Sequence, residues 1–137
     1  MGILATLLGR KTPRVQPVHV DDANFVVEVL RSERPVVLDI WSDGCGPCRM
    51  LEPIIMDLAA KYDGRVKVAE ANAAEAPHTA ARLGVLGTPT VLFFKGRREV
   101  ERVVGFVGMR YLQEIVEAEL LSPDADARVK ALSEPRK

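Results

Sequence analysis

The run "PVVLDIW" at residues 35–41 is the strongest constraint this chain places on its own fold. It is almost wholly apolar, rich in β-branched residues, and broken only by Asp39. A strand of that composition has no polar face to turn to water. It must be covered on both sides, as in the centre of a sheet with helices packed above and below. Directly after it comes "SDGCGPCRM" (42–50), which carries both cysteines of the chain, Cys45 and Cys48. A helix-spaced segment, "MLEPIIMDLAAKY" (50–62), follows. Strand, Cys-x-x-Cys, helix is the order of elements expected of a redox site.

The spacing has a chemical logic. Cys45 falls at the start of the helix, where unpaired backbone N–H groups and the helix dipole favour negative charge. Only a thiolate attacks a disulfide, so that placement makes the first cysteine reactive near neutral pH. Cys48 lies about one helical turn further on. From there it can reach back and resolve a mixed disulfide formed by Cys45. Pro47 suits a first helical turn, whose N–H groups have no partner in any case. Gly46 allows a tight turn and leaves Cys45 open.

Other uses of two cysteines fit less well. One pair cannot form a disulfide scaffold. A bridge closing so short a loop constrains the unfolded chain only weakly. A structural zinc needs four protein ligands. Beyond the two thiols the chain offers only His19 and His78, which are not spaced as a pair and read as ordinary surface or edge residues. No metal is therefore expected. The formal net charge of zero argues against a nucleic-acid partner, and no apolar run approaches the roughly 20 residues a membrane helix needs.

Around the cysteine motif, strands and helices alternate. "PVHV" (17–20) reads as a short strand and "DDANFVVEVLRSE" (21–33) as a helix. Asp21 or Asp22 caps that helix, with Ala23, Val26, Val27 and Leu30 on its inner face. Pro53 falls inside the cysteine helix and should kink it, and Gly64 should close it. "RVKVAEAN" (65–72) is a strand and "APHTAARLG" (76–84) a short helix. "TPTVLFFKG" (88–96) and "EVERVVGFV" (99–107) form a hairpin through "KGRR". "RYLQEIVEAELL" (110–121) is a helix with Leu112, Ile115 and Val116 facing inward. This pattern implies an α/β domain with a mixed sheet covered by helices on both faces. It divides the chain into an N-terminal arm (1–17), a folded domain (18–121) and a polar C-terminal tail (122–137). Within the tail, Ser122 and Pro123 are able to start a short helix with Ala125, Val129 and Leu132 on one side, too short to stand alone in water. The opening "MGILATLLGRK" is apolar, with its positive charges after the apolar part, unlike a secretory signal. Gly2 and Thr6 also satisfy the loose pattern for N-terminal lipidation.

Two stretches resemble the thioredoxin family. "VVLDIWSDGCGPCRMLEPIIMDLAAKY" is similar to its active-site strand and kinked helix, and "RLGVLGTPTVLFFKGRREVERVVGF" to its second signature. The likeness runs from about Val18 to Leu121. It implies a central mixed five-stranded sheet flanked by four helices. The implied activity is reduction of disulfides in client proteins through a Cys45/Cys48 dithiol–disulfide cycle, with no bound cofactor and with electrons from a flavin-dependent reductase. It further implies a cytoplasmic monomer engaged in electron transport and redox homeostasis. By the same resemblance Pro89 is the family's cis-proline, leaving the backbone of Thr88 to pair with a substrate strand. Asp39 is the buried carboxylate that takes the Cys48 proton, although a strand-end carboxylate with an ordinary hydrogen bond is the plainer alternative. Gly105 keeps the partner groove open, or else marks a bulge. Trp41 packs beneath the motif.

Two positions depart from the family pattern. Gly44 stands where a tryptophan is usual, which removes an aromatic contact for partners. Glu70 stands where a lysine is common, so that two carboxylates, Asp39 and Glu70, face each other unless Glu70 turns to solvent. Like charges in a poorly solvated site raise the pKa of at least one. The departures favour a specialised reductase as much as a general one. They leave open a thioredoxin-fold binding or chaperone module with incidental redox activity. An oxidase or isomerase is the third reading, against which the "CGPC" sequence argues.

Overall fold

The computed structural model describes residues 15–133. The N-terminal arm as far as residue 14, with its lipidation pattern, lies outside the described residues. Five strands form one sheet: β1 (Val18–His19), β2 (Val36–Trp41), β3 (Lys67–Asn72), β4 (Thr90–Lys95) and β5 (Arg98–Val104). Their order across the sheet is β1-β3-β2-β4-β5. The first three are mutually parallel, and β4 and β5 run antiparallel to their neighbours. This is the mixed five-stranded sheet expected from the sequence.

The apolar run takes the central position. Val36, Val37, Leu38 and Ile40 are all at most 1 % exposed. Side chains alternate across a strand, so Val36, Leu38 and Ile40 join Phe25, Val29, Leu92 and Phe94 in one core layer. Val37 points the opposite way, toward Leu51, Ile55, Leu58, Phe93, Leu112 and Val116. Asp39 and Trp41 share the parity of Val37 and therefore its face. Truncating a ring such as Phe93 in a layer of this kind costs about 3–5 kcal/mol.

The first layer is covered by α1 (Val26–Leu30) and α3 (Pro77–Arg82). The second is covered by α2 (Gly46–Lys61) and α4 (Met109–Ile115, continued through Val116–Leu121). Pro53 lies within α2. Leu112 and Val116 are fully buried as expected, with Ile115 partly so. The α1 face differs from the sequence expectation. Val26 and Val27 are exposed, and Phe25 and Val29 are the buried pair. The N–H of Arg31 bonds to the carbonyl of Val26, five residues back, so the segment ends in a π-type turn, while the buried Phe25 and Val29 lie four residues apart on one helix face. Asp21 does accept from the N–H groups of Ala23 and Asn24. Asp22 instead accepts from the N–H groups of His78 and Thr79, joining the start of α3 to the chain before α1.

Residues read as a possible helix after Ser122 form α5 (Pro123–Ser133). Ser122 Oγ accepts from Ala125 N–H, and Ala125 is buried. Asp126 pairs with Lys95, Arg128 pairs with Glu119, and Arg98 donates to the Leu132 carbonyl. These contacts to β4, β5 and α4 supply what an isolated eleven-residue helix lacks. Leu132, expected on the inner side, is exposed.

Candidate active site

Strand β2 ends at Trp41, and the chain turns through residues 42–44 into α2. Cys45 is the N-cap of α2, in extended conformation, with Pro47 in the first turn. Its sulfur accepts from the Cys48 N–H at 3.2 Å. The two cysteines are joined in a disulfide with their Cα atoms 5.3 Å apart. Their surroundings differ. Cys45 is partly exposed at the helix tip, whereas Cys48 is only 5 % exposed.

A second segment closes over Cys45. The Thr88–Pro89 peptide bond is cis, and the Thr88 carbonyl oxygen lies 3.6 Å from Cys45 Sγ. Thr88 Oγ1 hydrogen bonds with Ser42 Oγ at 2.6 Å, and the Gly105 N–H donates to the Pro89 carbonyl at 2.8 Å. Thr90 Oγ1 donates to the Gly87 carbonyl. The loop before β4 is thus held by the turn after β2, by the end of β5 and by its own first strand residue. Gly105 has φ +94°, a conformation side chains rarely adopt. The register irregularity of the hairpin falls at Phe93/Phe94, so Gly105 is not the bulge.

Behind the disulfide lies a cavity of about 390 Å³ whose lining includes Asp39, Trp41, Gly44, Cys48, Arg49, Glu52 and Glu70. Asp39 is 4 % exposed, and its Oδ1 has no hydrogen-bond partner. Burial, followed by the charges of Glu70 and Glu52, pushes its pKa up to about 7. The plainer expectation, a strand-end carboxylate satisfied by an ordinary hydrogen bond, does not describe this group.

Glu70 does not turn to solvent. Its side chain is 23 % exposed. One carboxylate oxygen accepts from the Trp41 indole N–H at 2.5 Å and the other from His19 Nδ1 at 2.6 Å. Glu70 and Asp39 are register partners across β3 and β2, as are Glu70 and His19 across β3 and β1. His19 also approaches Glu75 at 3.4 Å. The hydrogen bond and charge of Glu70 raise its pKa above the usual 6.5. His19 is exposed on the edge strand β1, as the sequence suggested, and from there it also reaches Glu70. The row His19–Glu70–Asp39 depends on strand order, which spacing along the chain does not reveal. Ser42 and Glu52 were missed for the same reason. Among the described residues no group of His, Cys, Asp and Glu could hold a metal.

Comparison with known proteins bears directly on this arrangement. The family model described as Thioredoxin matches residues 16–118. The chain belongs to the thioredoxin family. It is 43 % identical over 99 residues to "Thioredoxin" of Synechocystis sp., covering 72 % of this chain and 92 % of that one. It is 41 % identical over 102 residues to "Thioredoxin 1" of Nostoc sp., covering 74 % and 95 %. "Thioredoxin M-type, chloroplastic" of Pisum sativum is 44 % identical over 98 residues, covering 72 % of this chain and 57 % of its own. As a thioredoxin the chain is a thiol–disulfide oxidoreductase that reduces protein disulfides, and its redox centre is the Cys45–Cys48 disulfide. The family works with disulfide-bearing clients and a reductase, and the binding-module alternative is not favoured. No helix among the described residues is long and apolar enough to cross a membrane.

Within this thioredoxin frame Gly44 has its own physical explanation. Its φ is +71°, and a Cβ placed there meets nothing within 4 Å. The backbone path, not lack of space, favours glycine before Cys45.

Proposed function

We propose that Cys45 is the attacking thiol and Cys48 the resolving thiol, with Asp39 as proton acceptor. One contrast carries this reading: Cys45 stands at the exposed tip of α2 beside the Thr88 carbonyl, while Cys48 is buried on a cavity it shares with Asp39. In the reduced protein, the Cys45 thiolate attacks one sulfur of a client disulfide, forming a mixed disulfide and releasing the other client sulfur as a thiolate. Cys48 then passes its proton to the Asp39 carboxylate and attacks Cys45. The Cys45–Cys48 bond forms, the bond to the client breaks, and the second client sulfur leaves as a thiolate that takes up a proton. Two electrons have moved from the dithiol to the client.

Thr88, Pro89, Gly105, Gly44 and Trp41 form the client surface in this reading. Thr88 lies two residues before β4, beside Cys45, so an extended client segment laid along it reaches Cys45 by strand addition. Gly46 and Pro47 build the first turn of α2, which presents the Cys48 N–H and the positive end of the helix dipole to Cys45 Sγ and so favours its thiolate. Glu70 tunes the proton acceptor. Residues 18–121 carry this chemistry as a monomer, flanked by residues 1–17 and 122–137. A flavin-dependent thioredoxin reductase returns the electrons, and a reducing compartment such as the cytoplasm is the setting for this electron transport.

The test is dithiothreitol-driven reduction of insulin disulfides by the full chain. The native protein should accelerate it, and Cys45→Ser and Cys48→Ser should both abolish turnover. Undiminished turnover by either variant would refute the reading.

A further inference from the structure

His19, Glu70 and Asp39 stand in one row across three parallel strands. His19 is the register partner of Glu70, and Glu70 of Asp39. An ionised carboxylate only accepts hydrogen bonds, so the His19 ring and the Trp41 indole both donate to Glu70, one to each oxygen. Asp39 Oδ1 takes no part in this network and is unpartnered. We propose that His19 is a positioning residue of the thiol site: its imidazolium holds and neutralises the Glu70 carboxylate, leaving Asp39 free to take the Cys48 proton.

The proposal rests on the dithiol mechanism above and deepens it. The fully buried groups at this site carry no cation of their own. Facing Asp39 are Glu70 from β3 and Glu52 from α2, with Arg49 of α2 and Asp43 of the preceding loop lining the same cavity. Facing His19 are Glu70, Glu75 and Asp21. Of the two groups hydrogen bonded to the carboxylate that acts most strongly on Asp39, Trp41 is neutral and His19 is the one able to carry a positive charge. Its side chain is 53 % exposed, so it exchanges protons with water while touching a buried network. Removing its charge leaves Glu70 uncompensated next to Asp39. The Asp39 proton is then held to higher pH, and the resolving step loses its acceptor at pH values where the native protein still has it.

The experiment is a carbon-13 NMR titration of the Asp39 carboxyl in the full chain, run beside the pH profile of insulin reduction. His19→Phe should raise the Asp39 midpoint by about half a unit, less than the 1–3 units of a directly adjacent ionic partner. The acidic limb of activity should move up with it. His19→Lys, which keeps a cation, should show no upward shift. In a Glu70→Gln background His19→Phe should move nothing, because the charge it balanced is gone. An unmoved midpoint in His19→Phe, or an equal shift in the Glu70→Gln background, would overturn the proposal. A shifted midpoint with an unshifted activity profile would overturn its functional half. If the native chain reduces no insulin, the dithiol mechanism fails separately, and the Asp39 midpoints still decide whether His19 acts on that carboxyl.

Discussion

Asp39 and Glu70 are register partners on adjacent parallel strands, so two acidic side chains share one face of the sheet beneath the active-site helix. Adjacent register positions on neighbouring strands put side chains on the same side of the sheet. The pair is asymmetric. Glu70 is hydrogen bonded through both oxygens, whereas Asp39 is buried with one oxygen unpartnered. Buried, and faced by Glu70 and Glu52, Asp39 is the group whose proton is held toward pH 7.

Replacing Glu70 should therefore change the working pH range. In Glu70→Lys a cation takes the place of the neighbouring carboxylate and favours ionised Asp39. The Asp39 midpoint falls, and insulin reduction persists to lower pH than in the native protein. Parallel pH–rate profiles of the two proteins check this, and superimposable profiles would exclude Glu70 from any influence on the acceptor.

The same carboxyl links stability to pH. The folded-state pKa of Asp39 lies at about 7, above its ordinary value of 3.8. Between those values the folded chain retains a proton that the unfolded chain has lost. Stability therefore falls as pH rises from about 4 to about 7, by an amount on the order of 4 kcal/mol if this group acted alone. Asp39→Asn should remove this slope and stabilise the protein by a few kcal/mol at pH 8, while slowing insulin reduction. Urea unfolding at pH 4.5 and pH 8 measures it. The idea fails if native protein and Asp39→Asn show the same difference between the two pH values.

The unequal burial of the cysteines sets their expected roles. Cys48→Ser should accumulate mixed disulfides between Cys45 and client proteins, because the resolving thiol is gone. Cys45→Ser should trap nothing, since Cys48 is 5 % exposed beneath the helix tip. Non-reducing electrophoresis after exposure to oxidised insulin distinguishes them. Trapping through Cys48 would reverse the assignment.

Gly44 should tolerate side chains according to backbone conformation and not size. At φ +71° with open space around it, Gly44→Ala should cost about 1 kcal/mol, the usual penalty for a left-handed L-residue. Gly44→Asn should cost less, because asparagine enters that region more readily. Thermal unfolding of the two variants checks the order. Equal midpoints for native protein and Gly44→Ala would show that the turn relaxes at no cost.

The central strand, the cysteine helix and the β4–β5 hairpin were legible in the sequence because each is written in neighbouring residues. Residues 36–41 show their double-sided burial by composition, and Cys45-Gly46-Pro47-Cys48 shows its chemistry by spacing and helix-start residues. The matched motifs extended that reading to Pro89 and Asp39. Tertiary structure decided the rest. Strand order β1-β3-β2 brought His19 to Glu70 and Glu70 to Asp39, across separations of 51 and 31 residues that leave no periodic trace. Packing against β2 and β4 chose Phe25 and Val29 as the buried face of α1, in place of Val26 and Val27. α5 is ordered by its contacts with β4, β5 and α4 and not by its own propensity. Local pattern encodes what a segment is able to become. Which charged groups then meet inside the fold depends on packing between distant segments, because burial and Coulomb interaction act through space and not along the chain.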